Sequence, residues 1–479
     1  MMFKLKPKFA ELGLEFFSRV QPTALTKSPK LLHVNSALMQ KIGLGHISNH
    51  ELVDLLSGQA LISDYPALAA VYMGHQFGHA VTRLGDGRAL LIAEHEYAGE
   101  TWELQLKGAG KTPYSRMGDG RAVLRSSIRE YLASHAMQHL LVPTTQALAL
   151  LGSQDEVYRE QVETAAVVLR VAPSFIRFGN FEYFAKHGKI GELEQLVKFV
   201  CQNYFQDIEL SDANYALVFL ERVVQLSAEM IAHWQSLGFV HGVMNTDNMS
   251  ILGLTLDYGP FAFMDHYNPS QIFNHSDSEG RYIYANQPNI GWWNLYRLAE
   301  ALAALNVASD QLESVLAKYA EYYNQKYIQL MGAKLGLSSF AAADMSFLDE
   351  LLQIMQAEKI DWTYFWRRLS YGEVGQQQLS LDYPSLALEL WFGKLNLRNR
   401  STELTPAMRQ QQMLATNPAL ILRNHLLQFA IERAQQGNYQ EIERLFNALS
   451  QPFVELAEFN AYYQVAPKSS AQIVLSCSS

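Results

Sequence analysis

Apolar and polar positions divide the chain into two regimes. From Val71 to Phe184 the apolar segments are short and separated by Gly-rich turns. Residues 89–93 (ALLIA) and 102–107 (WELQLK) read as strands, the second with an alternation of period two. Residues 121–141 place Leu124, Ile128, Leu132, Ala136 and Leu140 on one face of a helix. Two more strand-like stretches follow at 146–151 and 165–171. Beyond Gly188 the spacing predicts long helices over 189–203, 213–237, 291–306 and 310–332 and several more to the end, interrupted by one β island at 248–263. The pattern therefore predicts an α+β protein of two lobes: a polar extension over 1–60 with one helix near 37–61, a β-rich N-lobe over 61–187, and a large helical C-lobe over 188–479.

Composition supports a sizeable core and narrows the function classes. Of 479 residues, 49% are hydrophobic and 11% aromatic, too apolar for a disordered chain. The net charge is −9, with 38 basic against 47 acidic residues, which argues against nucleic acid as a partner and makes any basic site a local one. Two cysteines, Cys201 and Cys477, supply neither a disulfide framework nor a zinc site. No apolar run is long enough for a membrane span. The basic start of the chain is not followed by the apolar stretch of a secretory signal, so a cytoplasmic location is expected.

Two motifs fail on their own chemistry. Gly108-Ala109-Gly110-Lys111-Thr112 resembles the end of a P-loop, but Gln105 stands where the first Gly is needed, and Pro113 lacks the N–H a phosphate-cradling helix start presents. His75 and His79 have metalloprotease spacing, but Gln76 replaces the Glu that would act as base. Gly-Asp-Gly-Arg occurs twice, at 85–88 and 118–121, which Asp-Gly turn chemistry alone accounts for.

The segment that carries chemistry is His241-Gly242-Val243-Met244-Asn245-Thr246-Asp247-Asn248, expected to lead through a short hairpin to Asp257-Tyr258-Gly259. Kinase-like enzymes use His-x-Asp-x4-Asn followed by Asp-x-Gly, with the Asn and second Asp on the metal that bridges the phosphates. Counting from His241, Asn248 and Asp257 fill those metal positions, and their oxygens suit Mg²⁺ or Mn²⁺. Val243 stands where a kinase keeps its catalytic Asp, and the carboxylate beside the metal Asn is Asp247. Upstream, Gly85-Asp86-Gly87-Arg88 opens a strand pair, Lys107 ends a strand and Glu130 lies on the polar side of the next helix, the order of a kinase-like phosphate site. Arg170 and Arg177, seven positions apart, are further cations, which alone read as surface arginines.

With these strings assembled, the chain resembles the selenoprotein O family, adenylyltransferases with a pseudokinase fold. The likeness runs through 74–78, 84–88, 106–130, 241–248, 256–261, 274–282 and 417–424 to Cys477-Ser478-Ser479. It implies a two-lobed kinase-like fold and transfer of AMP from ATP to protein Ser, Thr or Tyr hydroxyls, with ATP flipped relative to kinases. By resemblance, Gly85, Gly87, Arg88, Lys107, Asp119, Gly120, Arg170 and Arg177 bind the nucleotide, and Glu130 holds Lys107. Asn248 and Asp257 bind Mg²⁺ or Mn²⁺, and Asp247 is the base. The chain itself is a further candidate acceptor. Cys477 stands where some relatives carry selenocysteine, but Phe273 occupies the position of the Cys that many members have in the 265–288 activation-like loop.

Two other readings remain at this point. A small-molecule phosphotransferase suits His-Gly followed by a metal Asn, and the loss of an Asp at Val243 argues against it. A silent ATP-binding scaffold has no need of both Asn248 and Asp257. The residues singled out contact phosphate and metal, so UTP stays open as the nucleotide. Residues 265–288 read as a largely solvated connection, and Cys201 as a buried small hydrophobe.

Overall fold

A computed structural model of the chain describes residues 7–59, 66–400 and 404–476. Its N-terminal half is built on strands Phe17–Val20 (β1), Lys30–Val34 (β2), Ala67–Ala70 (β3), Gly74–Gln76 (β4), His79–Val81 (β5), Ala89–Tyr97 (β6), Glu100–Lys107 (β7), Ala122–Val123 (β8), Gln146–Tyr158 (β9) and Val162–Ala172 (β10). All but β4 and β5 form one sheet in the order β1-β3-β6-β7-β10-β9-β2, with β8 paired to β10; β4 and β5 form a separate hairpin. Every pairing in the large sheet is antiparallel. The runs LALLG in β9 and AAVVLRVA in β10 are buried on both faces, as befits interior strands.

Helices Ser36–Lys41 (α1) and Asn49–Ser57 (α2) cover one face of this sheet. The second begins with a capping box between Ser48 and Glu51 and stops at left-handed Gly58. Across the other face runs Leu124–His139 (α3), packed on β9 and β10 and touching the C-terminal helices Asn424–Gln435 and Gln440–Leu449. The expected apolar face of α3 is buried throughout, but so are Ser127, Arg129 and Glu130. Its polar side therefore faces the interior between the lobes.

The helical half starts with Phe178–Lys186 (α4), Ile190–Tyr204 (α5), Tyr215–Leu237 (α6), Gln287–Ala303 (α7) and Ser309–Leu335 (α8), and helices continue to residue 449. The chain therefore has an antiparallel β-rich N-terminal region and a large helical C-terminal region, as in a two-lobed kinase-like fold. No described helix is long and apolar enough to cross a membrane.

Two expectations are corrected. Of the expected 1–60 extension, the described residues 7–59 belong to the sheet and its cover: β1 pairs β3, β2 pairs β9, and two short helices replace the single one, whose far end at 60–61 lies outside the described residues. Strands of four and five residues are too short to show a period, and their partners are distant in sequence. The hairpin expected within 248–263 is also absent. Phe239–Val240 (β11) pairs instead with Ala262–Phe263 (β12), and the loop they bracket is tied to the N-terminal half through bridges Arg177 to Ser250 and Thr144 to Thr255. The 265–288 loop is largely solvated, as expected, with most of its residues exposed or half-buried, but it is anchored at a few points. Asn274 and Asp277 are buried, the Asn274 amide donates to the Gly242 carbonyl (3.0 Å), and the His275 N–H donates to the Leu475 carbonyl (2.7 Å). Cys201 is buried as read, its thiol pushed up to about 11 by burial. Cys477 lies outside the described residues.

Candidate active site

A cleft of about 500 Å³ opens between the sheet and the 241–261 loop. Every candidate residue lines it: Gly85, Gly87, Arg88, Lys107, Asp119, Gly120, Glu130, Arg170, Arg177, Asp247, Asn248 and Asp257. The two Gly-Asp-Gly-Arg turns meet on its rim. Gly85 has φ +129°, and a Cβ there would lie 2.5 Å from the Tyr114 ring. Gly120 has φ +71°, and a Cβ there would lie 2.1 Å from the Gly110 carbonyl oxygen, so only glycine fits at either position. Arg88 is exposed at the mouth, and Asp119 accepts two bonds from Arg159 (2.8 and 2.9 Å). Lys111 of the P-loop lookalike does not line the cleft.

The centre is a charge cluster on Asp257. Lys107 Nζ lies 2.8 Å from Asp257 Oδ1 and 2.6 Å from Glu130 Oε2. Arg170 Nη1 lies 2.6 Å from the same Asp257 oxygen and 2.9 Å from Glu130 Oε1. Arg177 donates to Asp257 Oδ2 and to the Asp247 carbonyl (2.8 Å). The two arginines are 1% and 3% exposed, unlike the surface residues that their spacing suggested. Their flanks pack on aromatic rings, Arg170 over Phe175 and Arg177 over Tyr72. Burial pushes the Asp257 carboxyl up, but the three cations outweigh it and hold the group well below the usual carboxylate range. Asp257 sits at φ +59°, a conformation that costs about 1–3 kcal/mol and that the three cations offset.

Asp247 differs. It is 7% exposed, and burial raises it to about 6. Its Oδ2 accepts from Gln76 Nε2 (3.0 Å), whereas its Oδ1 is buried without a hydrogen-bond partner. Asn248 uses its Nδ2 on the Val243 carbonyl (2.9 Å), which leaves Oδ1 as its outward ligand atom. The Asn248 amide oxygen and the Asp257 carboxylate are hard oxygen donors that fit a small divalent cation retaining water and phosphate ligands, and the unpartnered Asp247 oxygen lies beside them. Among the described residues no group of three or more His, Cys, Asp or Glu could hold a metal by itself.

Sequence reasoning passed over two supports. Arg129, one position before Glu130, is buried and donates to the Gly259 (3.3 Å) and Phe261 (2.6 Å) carbonyls, so α3 fixes the cations and the Asp257 segment together. Gln76 served only to argue against zinc, yet the β4–β5 hairpin brings it onto Asp247. The same hairpin donates the His75 N–H to Thr246 Oγ1 (2.7 Å), and His75 Nδ1 is engaged by Glu182 (2.5 Å). The string 74–78 was visible, but nothing in it signals a partner at 246–247.

A family model described as Protein adenylyltransferase SelO matches residues 1–450. The chain belongs to that family. It is similar to the protein nucleotidyltransferase YdiU of Bordetella avium (strain 197N), 46% identical over 481 residues, covering 99% of this chain and 98% of the relative. The protein of that name from Cupriavidus pinatubonensis is 43% identical over 500 residues (100% and 95% covered), and that from Pseudomonas paraeruginosa 44% over 480 (98% of each). Membership of the adenylyltransferase family makes the chain a protein nucleotidyltransferase, with ATP as substrate and a divalent metal as its requirement.

Proposed function

We propose that the chain moves AMP from ATP to Ser, Thr or Tyr hydroxyls of proteins in the cytoplasm, itself among them, with Mg²⁺ or Mn²⁺, and that each residue of the cleft has the role its family resemblance implies. Gathering three buried cations on one carboxylate is the observation that carries the reading. Pyrophosphate is the leaving group of AMP transfer, and charge grows on it as the P–O bond to the α-phosphorus breaks. Lys107 and Arg170, held by Glu130, and Arg177 meet that charge where water is largely excluded. Gly85, Gly87 and Gly120 let the backbone approach the triphosphate, and Arg88 and Asp119 stand at its entrance. Asn248 and Asp257 would hold the metal, which supplies charge neutralisation and orientation of the phosphates. Asp247 accepts the hydroxyl proton through an oxygen that has no internal partner.

The test uses purified protein, a generic acceptor protein and Mg²⁺ or Mn²⁺, with ATP labelled at the α- or the γ-phosphate. Label is expected from the α position only, and Asp257→Ala abolishes it. Label from the γ position would make this a kinase and overturn the proposal. Substituting UTP, and exchanging the two metals, settles the nucleotide and cation preferences.

A further inference from the structure

The β4–β5 hairpin that clamps Asp247 rests on a second structure that the cleft does not use. At its turn, a Cβ on Gly78 would lie 3.4 Å from the Arg281 guanidinium. The Phe77 N–H beside it donates to Asn245 Oδ1 (3.2 Å) and to the Tyr282 hydroxyl (3.0 Å). Arg281 stacks over Trp293 of α7 (4.5 Å), and Arg297 lies over Trp293 (5.0 Å) and Tyr296 (4.8 Å). Trp292, 42% exposed, packs its ring on Tyr296, and His75 meets Trp293 edge-on (5.4 Å). None of Arg281, Trp292, Trp293, Tyr296 or Arg297 lines the nucleotide cleft, whereas their neighbours Gln76, Phe77, Asn245 and Asp247 do. The patch therefore adjoins the cleft at its Asp247 end.

Its charge is uncommitted. Arg281 forms no ion pair among the described residues, and its Nε is buried without a hydrogen-bond partner. The nearby carboxylates are engaged elsewhere: Asp277 accepts the Arg281 (3.0 Å) and Tyr282 (2.8 Å) N–H groups, one Glu182 oxygen accepts from His75 while the other has no partner, and Glu300 pairs with Arg297 (2.8 Å). Trp, Tyr and Arg are the residues that dominate protein-binding hot spots, and a guanidinium held flat on indole is preorganised for a carboxylate. In a chain of net charge −9, an aromatic surface carrying a free cation favours an acidic partner.

We propose that the Arg281–Trp293 patch docks the acceptor polypeptide, selecting a segment with Asp or Glu close to the target hydroxyl. The proposal rests on Asp247 marking the end of the cleft where the hydroxyl enters.

The probes are three fluorescein-labelled peptides with one Ser flanked by Glu, Gln or Lys, measured by anisotropy and as acceptors of α-label. The Glu peptide is expected to bind about tenfold more tightly than the Gln peptide, and the preference weakens as salt rises. Arg281→Gln removes the preference, and raises the KM for the Glu peptide about tenfold while the KM for ATP is unchanged. Arg281→Glu reverses the order in favour of the Lys peptide, a gain that misfolding cannot imitate. Equal binding of all three peptides to the unaltered protein, with transfer intact, would overturn the docking surface alone. Charge-selective binding without any transfer would overturn the acceptor role together with the transfer reading. Loss of a dimer in sedimentation of Arg281→Glu, with peptide binding unchanged, would assign the patch to a second copy of the chain and overturn the proposal.

Discussion

Gln76→Met removes one hydrogen-bond donor from Asp247 while nearly keeping side-chain volume. The amide reaches Oδ2 at 3.0 Å, and Oδ1 already lacks a partner, so the variant leaves a buried carboxylate with neither oxygen bonded to a side chain. A hydrogen bond to a charged group contributes about 1.5–3 kcal/mol, and the Gln76 bond is stronger to the ionised form than to the neutral acid, so its loss raises the Asp247 pKa by at most about 1–2 units. Burial already holds that pKa up at about 6. The base must be ionised to accept a proton, so activity falls as pH drops through the pKa, and the variant's acid limb moves to higher pH. At pH 7 the ionised fraction, and kcat with it, falls about two- to tenfold, and most of the loss returns by pH 9. Bound metal and nucleotide act on both proteins alike, so the displacement between the two profiles isolates the amide. The assay is kcat against pH for α-label transfer at saturating ATP. A loss of the same size at every pH would refute the argument, and so would an unmoved acid limb.

Three further outcomes are expected. In Gly74→Ala the new Cβ would meet Asp247 Oδ1 at 2.2 Å, so kcat should fall at least tenfold while ATP affinity, read by calorimetry, stays within about twofold. Glu103, 2% exposed and raised by burial to about 8, binds a proton more tightly folded than unfolded. Its share of stability is lost as pH rises from its unfolded value through about 8, so Glu103→Gln should gain about 2–4 kcal/mol on the original chain at pH 9 and nothing at pH 4, read by urea unfolding at each pH. Chelating divalent metal should abolish α-label transfer and shrink the thermal stabilisation by ATP, about 2.7 kcal/mol at a hundredfold excess over Kd; full stabilisation with chelator present would speak against Asn248 and Asp257 as ligands.

The legible parts of the molecule were those with local signals. The strand at 102–107 and the long helices emerged because a period repeats within each, and the strand at 89–93 from a short apolar run. The His241-to-Asp257 spacing carried the loop because its chemistry is fixed by counting. Arg170 and Arg177 looked superficial because a charged letter does not reveal burial; Arg170 is interior because β10 lies between β7 and β9, a non-local fact. Glu130 was assigned to a polar helix face, which turned out to be the wall of the site. Residues 249–258 have the apolar content of a hairpin, but Met249, Ile251 and Leu256 are fully buried by packing and not by pairing with each other.

Both outer strands of the large sheet, β1 and β2, come from the first 34 residues. They leave the ribosome before either can pair: Phe17 must wait for Ala70, and Lys30 for Gly152. Until they dock, β3 and β9 offer open hydrogen-bonding rims, the kind of surface on which chains aggregate. Strands made before their partners thus act as the seal applied last, and a disruption of β1 or β2 threatens solubility before it touches catalysis.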